Sequence, residues 1–331
     1  MSCRILITGG AGFIGAHLAR CLAESGYVVC LVDNLTRGVV DRDLEILLEK
    51  SETTFSVVDM LDQNKVLALG SDFHAIFHLA AIVGVVHVIE RPYEVLVENT
   101  RMLENVIALS RQQESLSRLL FASTSEVYAG TLKHFELDVP TPVDSALAVK
   151  GLGDRRTSYM LSKIFGEALC QAAEIPFTIF RPHNIYGPRM GMSHVIPEQL
   201  KKVWAAVTGD RLGVHSVDHR RSFCYINDAV EMLKRILETS ACAGKTINLG
   251  TQAPEVTIRE VVETCIDVAG KSLGIRVLSP TPGSPERRAP DMGLTKELID
   301  FESRFSLRQG IEQTWAWYRE HVFETGRLTA R

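Results

Sequence analysis

Two stretches of this 331-residue chain carry side chains able to move a proton. One is SYMLSK, which holds Tyr159 and Lys163 four positions apart. On a helix, residues i and i+4 share a face, about 6 Å apart. A free phenol titrates at about pH 10 and is a poor base at neutral pH. A nearby ammonium favours the phenolate, so Tyr159 could take a proton from a hydroxyl. The competing reading of the pair is a surface contact on an ordinary helix. The other stretch is STSEVYAG, residues 123–130. An apolar strand, RLLF, runs straight into Thr124, Ser125 and Glu126. Two hydroxyls and a carboxylate therefore stand where a core strand ends. Helix capping, or an ion pair with an arginine such as Arg156, is the bland account of Glu126.

Tyr159 could take that proton while hydride leaves the same carbon, and the N-terminal turn suggests an acceptor for the hydride. TGGAGFIG places Gly9, Gly12 and Gly15 between a strand and a helix. Glycines let backbone approach a pyrophosphate, and the helix N-terminus adds amide hydrogens and a positive dipole end. A tight strand-to-helix connection is the alternative. About 20 residues on, the second strand ends in Asp33, able to accept from adenosine ribose hydroxyls. A carboxylate there repels a 2′-phosphate, which favours NAD over NADP, although Arg37 lies close in sequence. Asp59 ends the third strand and suits an adenine amino group, or equally a helix N-cap.

The elements that must position these groups alternate. Strands are expected at 4–8, 27–33, 54–58, 75–80, 118–123 and 176–180, with helices at 12–25, 92–112 and 158–173. Alternation of β and α, with strands that are nearly continuous apolar runs, implies a doubly wound parallel sheet of Rossmann type. The expected α/β architecture has residues 1–180 mainly binding the dinucleotide and 181–331 mainly forming a smaller α/β substrate lobe. The chain is expected to cross between the two more than once. Residues 129–157 look like a long loop, and long loops in compact domains are often functional. A Pro/Gly-rich loop is expected at 279–293.

Composition narrows the class. Apolar residues make up 46%, enough for a sizeable core, and the net charge of −4 gives no reason to expect nucleic-acid binding. Arginine pairs at 155/156, 220/221 and 287/288 suit a small anion better than a polyanion. Seven cysteines without a CxxC pair read as buried free thiols in a reducing compartment. No run approaches the length of a membrane span, and MSCRILITGG lacks the zones of a signal peptide. A cytoplasmic protein is expected. His215 and His219 have the i,i+4 spacing of helical zinc ligands, but RLGVHSV reads as strand, and no metal site is expected.

Taken together, TGGAGFIG, VDN, FHLAA, STSEVY, YMLSK and RPHNIYGPR resemble the extended short-chain dehydrogenase/reductase family, in its NAD-dependent nucleotide-sugar epimerase, dehydratase and decarboxylase branch. The likeness continues through RRSFCYINDAV, INLG and RRAPD. It implies that Tyr159 is the base, that Lys163 lowers its pKa and holds the nicotinamide ribose, and that Thr124 bonds the reacting sugar hydroxyl. It implies a cofactor site that includes Gly9, Gly12, Phe13, Ile14, Gly15, Asp33, Asn34, Asp59 and Met60. Leu79, Ala80 and Ala81 would line the pyrophosphate, and Asn99 would lie near the cofactor. For the substrate, a UDP- or GDP-linked sugar, it implies Asn184, Arg221 and Arg288 at the diphosphate. His183, Val195 and His215 are further substrate candidates. Two departures fall on the substrate side: His183 stands where an aromatic residue is usual, and the loop before Tyr159 is long and carries Arg155 and Arg156.

The resemblance implies oxidation of a sugar carbon, usually C4, to a ketone, and leaves its fate open. A ketone at C4 acidifies the C5 proton, which a carboxylate beside C5 could remove. TSE, with Ser125 and Glu126, thus supports 4,6-dehydration, 5-epimerisation or a UDP-glucuronate-type decarboxylation. YGPR followed by VIP pulls toward an epimerase that returns hydride within one site, and that is the leading expectation. A homodimer through the helices near 92–112 and 158–173 is also expected.

Overall fold

Each short β-branched run of the N-terminal half becomes a strand covered on both faces. Ile5, Leu6 and Ile7 of the first strand are all fully buried. Alternate strand residues point to opposite faces, so Ile5 and Ile7 join one core while Leu6 joins the other. The computed structural model describes residues 3–149, 151–281 and 284–326. Its central strands are β1 (Arg4–Thr8), β2 (Val28–Asp33), β3 (Thr54–Val57), β4 (Ala75–His78), β5 (Arg118–Ala122) and β6 (Phe177–Pro182). A seventh strand, Thr246–Leu249, returns from far along the chain. All neighbours are parallel, in the spatial order Thr246–Leu249, β6, β5, β4, β1, β2, β3. The order reverses between β1 and β4, which opens a crevice at their carboxyl ends.

The helices are α1 (Phe13–Glu24), α2 (Arg42–Lys50), α3 (Gln63–Leu67), α4 (Val85–Glu90), α5 (Pro92–Arg111), α6 (Ala129–His134) and α7 (Thr157–Ala172). Pro92 opens α5, where its missing N–H costs nothing. Helices α5 and α7 pack together, and α1 packs on the later helix Ile226–Glu238. These two layers cover opposite faces of the sheet, with Met102, Leu103 and Val106 on one side and Leu18, Leu22 and Leu233 on the other.

Smaller pieces form the second lobe. The strand Arg220–Arg221 runs antiparallel to Val256–Thr257 and parallel to Arg287–Arg288. Its register sets Arg221 beside Arg288. Arg211–His215 pairs in parallel with Gly274–Leu278, so His215 ends a strand.

The segment 129–157 departs from the long loop expected. It begins with α6, which continues a single 3₁₀ turn, Ser125–Tyr128. The chain then folds back over α6: a Cβ on Gly130 would lie 1.8 Å from the Ala148 carbonyl oxygen. Farther along, Thr141 N donates to Ala289 O at 2.8 Å and Asp291 N to Thr141 O at 2.9 Å. These bonds tie the loop to the second lobe. Sequence periodicity missed α6 because six residues span under two turns.

Candidate functional site

The glycine turn leaves almost no room for side chains. A Cβ on Gly15 would lie 2.3 Å from the Gly9 carbonyl oxygen, and one on Gly9 would lie 2.9 Å from Ala80 N. Gly9 also has φ +71, a region that favours glycine. Gly12 caps α1 with no side chain, so the first-turn N–H groups at Phe13, Ile14 and Gly15 head the crevice. The Phe13 and Ile14 side chains turn instead into the core beneath. Asp33 accepts from Ala11 N at 3.1 Å and Leu35 N at 2.8 Å. Burial raises its pKa, and those two bonds oppose the rise. A cradle that a Cβ would fill, facing helix amides and closed by an acid, fits a dinucleotide.

Other expected cofactor residues divide by role. Asn34 and Asp59 are exposed, and each side chain accepts a local backbone bond, from Thr36 N at 3.1 Å and Leu61 N at 3.0 Å. Met60 is buried, and its carbonyl accepts from Asn105 Nδ2 at 2.8 Å. Leu79, Ala80 and Ala81 lie half-buried after β4. Asn99 works as a clamp. Its Oδ1 accepts from Ile82 N at 2.7 Å, while its Nδ2 donates to Ile82 O and to Ser162 Oγ, both at 3.2 Å. It thereby ties the loop after β4 to α7, one residue from Lys163.

Helix α7 brings Tyr159 to the end of β5, where the Thr124 hydroxyl hydrogen-bonds the phenol. Lys163 is buried, donates from Nζ to Ala122 O at 2.7 Å, and sits 5.9 Å from the Tyr159 ring centroid. Burial pushes its pKa down to about 8. Burial also raises Tyr159 well above an ordinary phenol; the Thr124 bond opposes this, Glu126 adds to it, and Arg37 opposes it. Burial weakens the charge of Lys163, and Arg37 is a cation whose charge lowers the phenol here. Arg37 is an addition: it donates to Val83 O at 2.9 Å and its charge reaches Tyr159. The sequence signal, a basic residue four after Asp33, pointed only to the adenosine end.

Glu126 lies on the same edge. Its Oε1 accepts from Arg288 Nη1 at 2.6 Å. The Arg288 charge holds the carboxyl below its ordinary range against the cost of burial, with Arg156 and Arg221 helping. Ser125 lines a cleft with Tyr128, Thr141, His183 and Arg288. Arg221 donates to Arg220 O at 2.7 Å, Pro285 O at 2.5 Å and Ser284 Oγ at 3.1 Å. Burial lowers its pKa to about 10, and Arg288 adds to the fall. Asn184 has φ +43 and donates to Ser222 O at 2.9 Å. Val195 opens the helix Val195–Ala205 and is part-exposed. His215 is exposed, and its Nδ1 lies 2.7 Å from Ser279 O. The structure thus gathers Thr124, Glu126, Tyr159, Lys163, Arg221 and Arg288, while His215 pairs with a loop of its own lobe. Among the described residues no three His, Cys, Asp or Glu side chains gather to hold a metal ion.

One network behind the site was not expected. Arg181 donates to Glu167 through Nε at 2.8 Å and Nη2 at 2.6 Å, and through Nη1 to Tyr128 Oη at 2.7 Å. Ser123, just before Thr124, also bonds Glu167. Glu167 follows Lys163 by one helical turn, a spacing that reads as an ordinary surface pair without the fold.

The comparisons agree with this geometry. A family model described as the NAD dependent epimerase/dehydratase family matches residues 5–250. The chain belongs to that family, and its cofactor is NAD. It is 32% identical over 333 residues to a UDP-N-acetyl-alpha-D-glucosaminuronate decarboxylase of Bacillus cytotoxicus, covering 97% of this chain and 99% of the relative. It is 29% identical to UDP-glucuronic acid decarboxylase 2 of Arabidopsis thaliana, covering 97% of this chain and 69% of that one. Among solved structures, a UDP-glucose 4-epimerase of Thermotoga maritima superposes with a TM-score of 0.82 at 22% identity, covering 97% and 100% of the two chains. At that identity the likeness shows the fold alone. No helix among the described residues is long and apolar enough to cross a membrane.

Proposed function

We propose that the protein is an NAD-dependent decarboxylase of a UDP-linked uronic acid. The observation that carries this reading is Glu126, held as a carboxylate against Arg288 on the edge where Thr124 meets Tyr159. The decarboxylases among the curated relatives support it. They favour it over the epimerase that YGPR and VIP suggested, since the epimerase likeness rests on fold. Residues 1–180 would mainly serve the cofactor and 181–331 the nucleotide sugar. The protein would act in the cytoplasm as a homodimer through α5 and α7, where Tyr93 and Phe165 expose 74% and 50% of their surface.

Gly9, Gly12 and Gly15 would admit the pyrophosphate, and Asp33 the adenosine ribose. NAD held there would supply the acceptor for the C4 hydride and the source of its return. Tyr159 Oη takes the proton of the C4 hydroxyl, which Thr124 holds in line. The charges of Lys163 and Arg37 favour the phenolate. A C4 ketone is β to the C6 carboxylate, so loss of carbon dioxide leaves an enolate stabilised by that carbonyl. A proton from water must then add to C5, and Glu126, as a carboxylate, would accept from and orient the water that gives it. Arg221 and Arg288 suit the diphosphate, where planar guanidinium groups bind oxyanions in pairs.

The test is incubation with UDP-glucuronate and UDP-N-acetylglucosaminuronate, with products followed by NMR and carbon dioxide by trapping. A UDP-pentose or its acetamido counterpart is expected. A C4 epimer that keeps C6, or a stable 4-keto-6-deoxy product from a UDP-hexose, would overturn the reading.

A further inference from the structure

We infer that His183 is a specificity-determining residue: its Nδ1 accepts a hydrogen bond from a donor on the substrate's sugar ring, either a hydroxyl or an acetamido N–H. The inference rests on the nucleotide-sugar reading of the site. It assigns the chemistry of one wall.

His183 follows β6 directly, is 1% exposed, and lines the cleft that holds Ser125 and Arg288. Its tautomer can be worked out from its neighbours. Asn248 donates from Nδ2 to Thr141 O at 3.1 Å and to Asp291 O at 3.0 Å. Both partners are pure acceptors, so that end of the amide is the NH₂ and the other end is the oxygen. Tyr128 Oη accepts from Arg181 and donates to the same Asn248 oxygen at 3.0 Å. His183 Nε2 lies 3.2 Å from that oxygen and must therefore carry the proton. Burial holds the imidazole neutral, with its pKa near 3; the Asn248 bond opposes the fall, and the Arg288 and Arg181 charges add to it.

A neutral ring with hydrogen on Nε2 presents a bare lone pair at Nδ1. That atom is buried and has no protein partner. Such groups are uncommon, because an unmet polar atom costs more than a made bond returns. The ring is also held in place. A Cβ on Gly250 would lie 3.0 Å from His183 Cβ, and the Tyr128 ring centroid lies 5.9 Å from that of His183. The carbon rim of an aromatic residue here would be indifferent to a donor. A fixed acceptor discriminates against a sugar that lacks one.

Two variants separate reading from scaffolding. His183→Gln places an amide near Nε2, keeping the bond to Asn248 and removing the Nδ1 acceptor. His183→Asn places an oxygen near Nδ1 and gives up the Asn248 bond. The readouts are the Kd of the NAD-loaded protein for UDP-glucuronate and UDP-N-acetylglucosaminuronate by calorimetry, and kcat/KM. His183→Gln is expected to weaken binding roughly five- to tenfold, and His183→Asn to recover most of that. Analogues of UDP-glucuronate deoxygenated at C2 or C3 complete the cycle. The one lacking the donor should bind wild type roughly five- to tenfold more weakly and lose nothing further in His183→Gln. A weaker grip on only the acetamido sugar would assign the donor to its N–H. Wild-type affinity in His183→Gln, equal losses in both variants on every ligand, or no binding of either sugar to wild type would overturn the inference. Failure of the decarboxylase reading would show separately, as binding without release of carbon dioxide.

Discussion

Replacing Glu167 by Gln should destabilise the protein more than any exposed charge change. The side chains of Glu167 and Arg181 are 5% and 6% exposed and meet through two bonds, at 2.8 and 2.6 Å. Glutamine keeps the shape and one acceptor but removes the charge. Arg181 is then left as a buried cation. Breaking one partner of such a pair costs about 3–5 kcal/mol, a large share of the roughly 5–15 kcal/mol that holds a domain together. A chain of this length unfolds with an entropy of about 0.7 kcal/mol/K, so Tm should fall by about 4–7 °C. Scanning calorimetry of the wild type, Glu167→Gln and the double variant Glu167→Leu/Arg181→Met is the assay. The double variant should lose less than the single one, since it leaves no unpaired charge. A shift under 1 °C in Glu167→Gln, or a double variant no better than the single, would refute the reasoning. Activity should fall as well, because Ser123 and Tyr128 bond this pair and flank the turn that carries Thr124 and Glu126.

Three other expectations follow from the same geometry. Gly15→Ala should weaken NAD binding at least tenfold in a fluorescence titration, because its Cβ would lie 2.3 Å from a backbone oxygen that cannot move aside. Lys163 has a pKa of about 8 in the fold against about 10.4 in the unfolded chain. Its buried charge thus costs stability below pH 8, and the cost fades as pH rises toward 10.4. Wild type should gain about 3 kcal/mol over Lys163→Met across that window in urea unfolding without cofactor. A flat difference would count against a buried ammonium. Glu126→Gln should slow formation of the UDP-pentose by about 10²-fold or more if the carboxylate directs the proton to C5. Full activity would confine Glu126 to its pair with Arg288.

Much of this protein was legible without coordinates, and the reason is locality. The glycine turn, Asp33, and the pair Tyr159 and Lys163 each follow rules that act within about 20 residues. Strand alternation and helical spacing then set the layers. The family resemblance implied Asn99 near the cofactor, yet its work as a clamp on Ile82 and Ser162 depends on two elements that meet only in the fold. Glu126 was read as either an ion pair or a proton carrier. The pairing of Arg287–Arg288 with Arg220–Arg221 decided that its partner is Arg288, 162 residues away. His215, a substrate candidate from the sequence, ends a strand, and its Nδ1 meets Ser279 O, a contact that spacing along the chain does not announce.

Sequence by itself determined the fold class, the cofactor and the helix face that Tyr159 and Lys163 share, because backbone sterics and helical period act over short range. Tertiary structure alone decided the electrostatics. Burial opposes charge on both Tyr159 and Lys163, and it leaves His183 neutral with one nitrogen unpaired. Desolvation and charge pairing depend on which distant side chains close over a group, and no spacing rule along the chain encodes that.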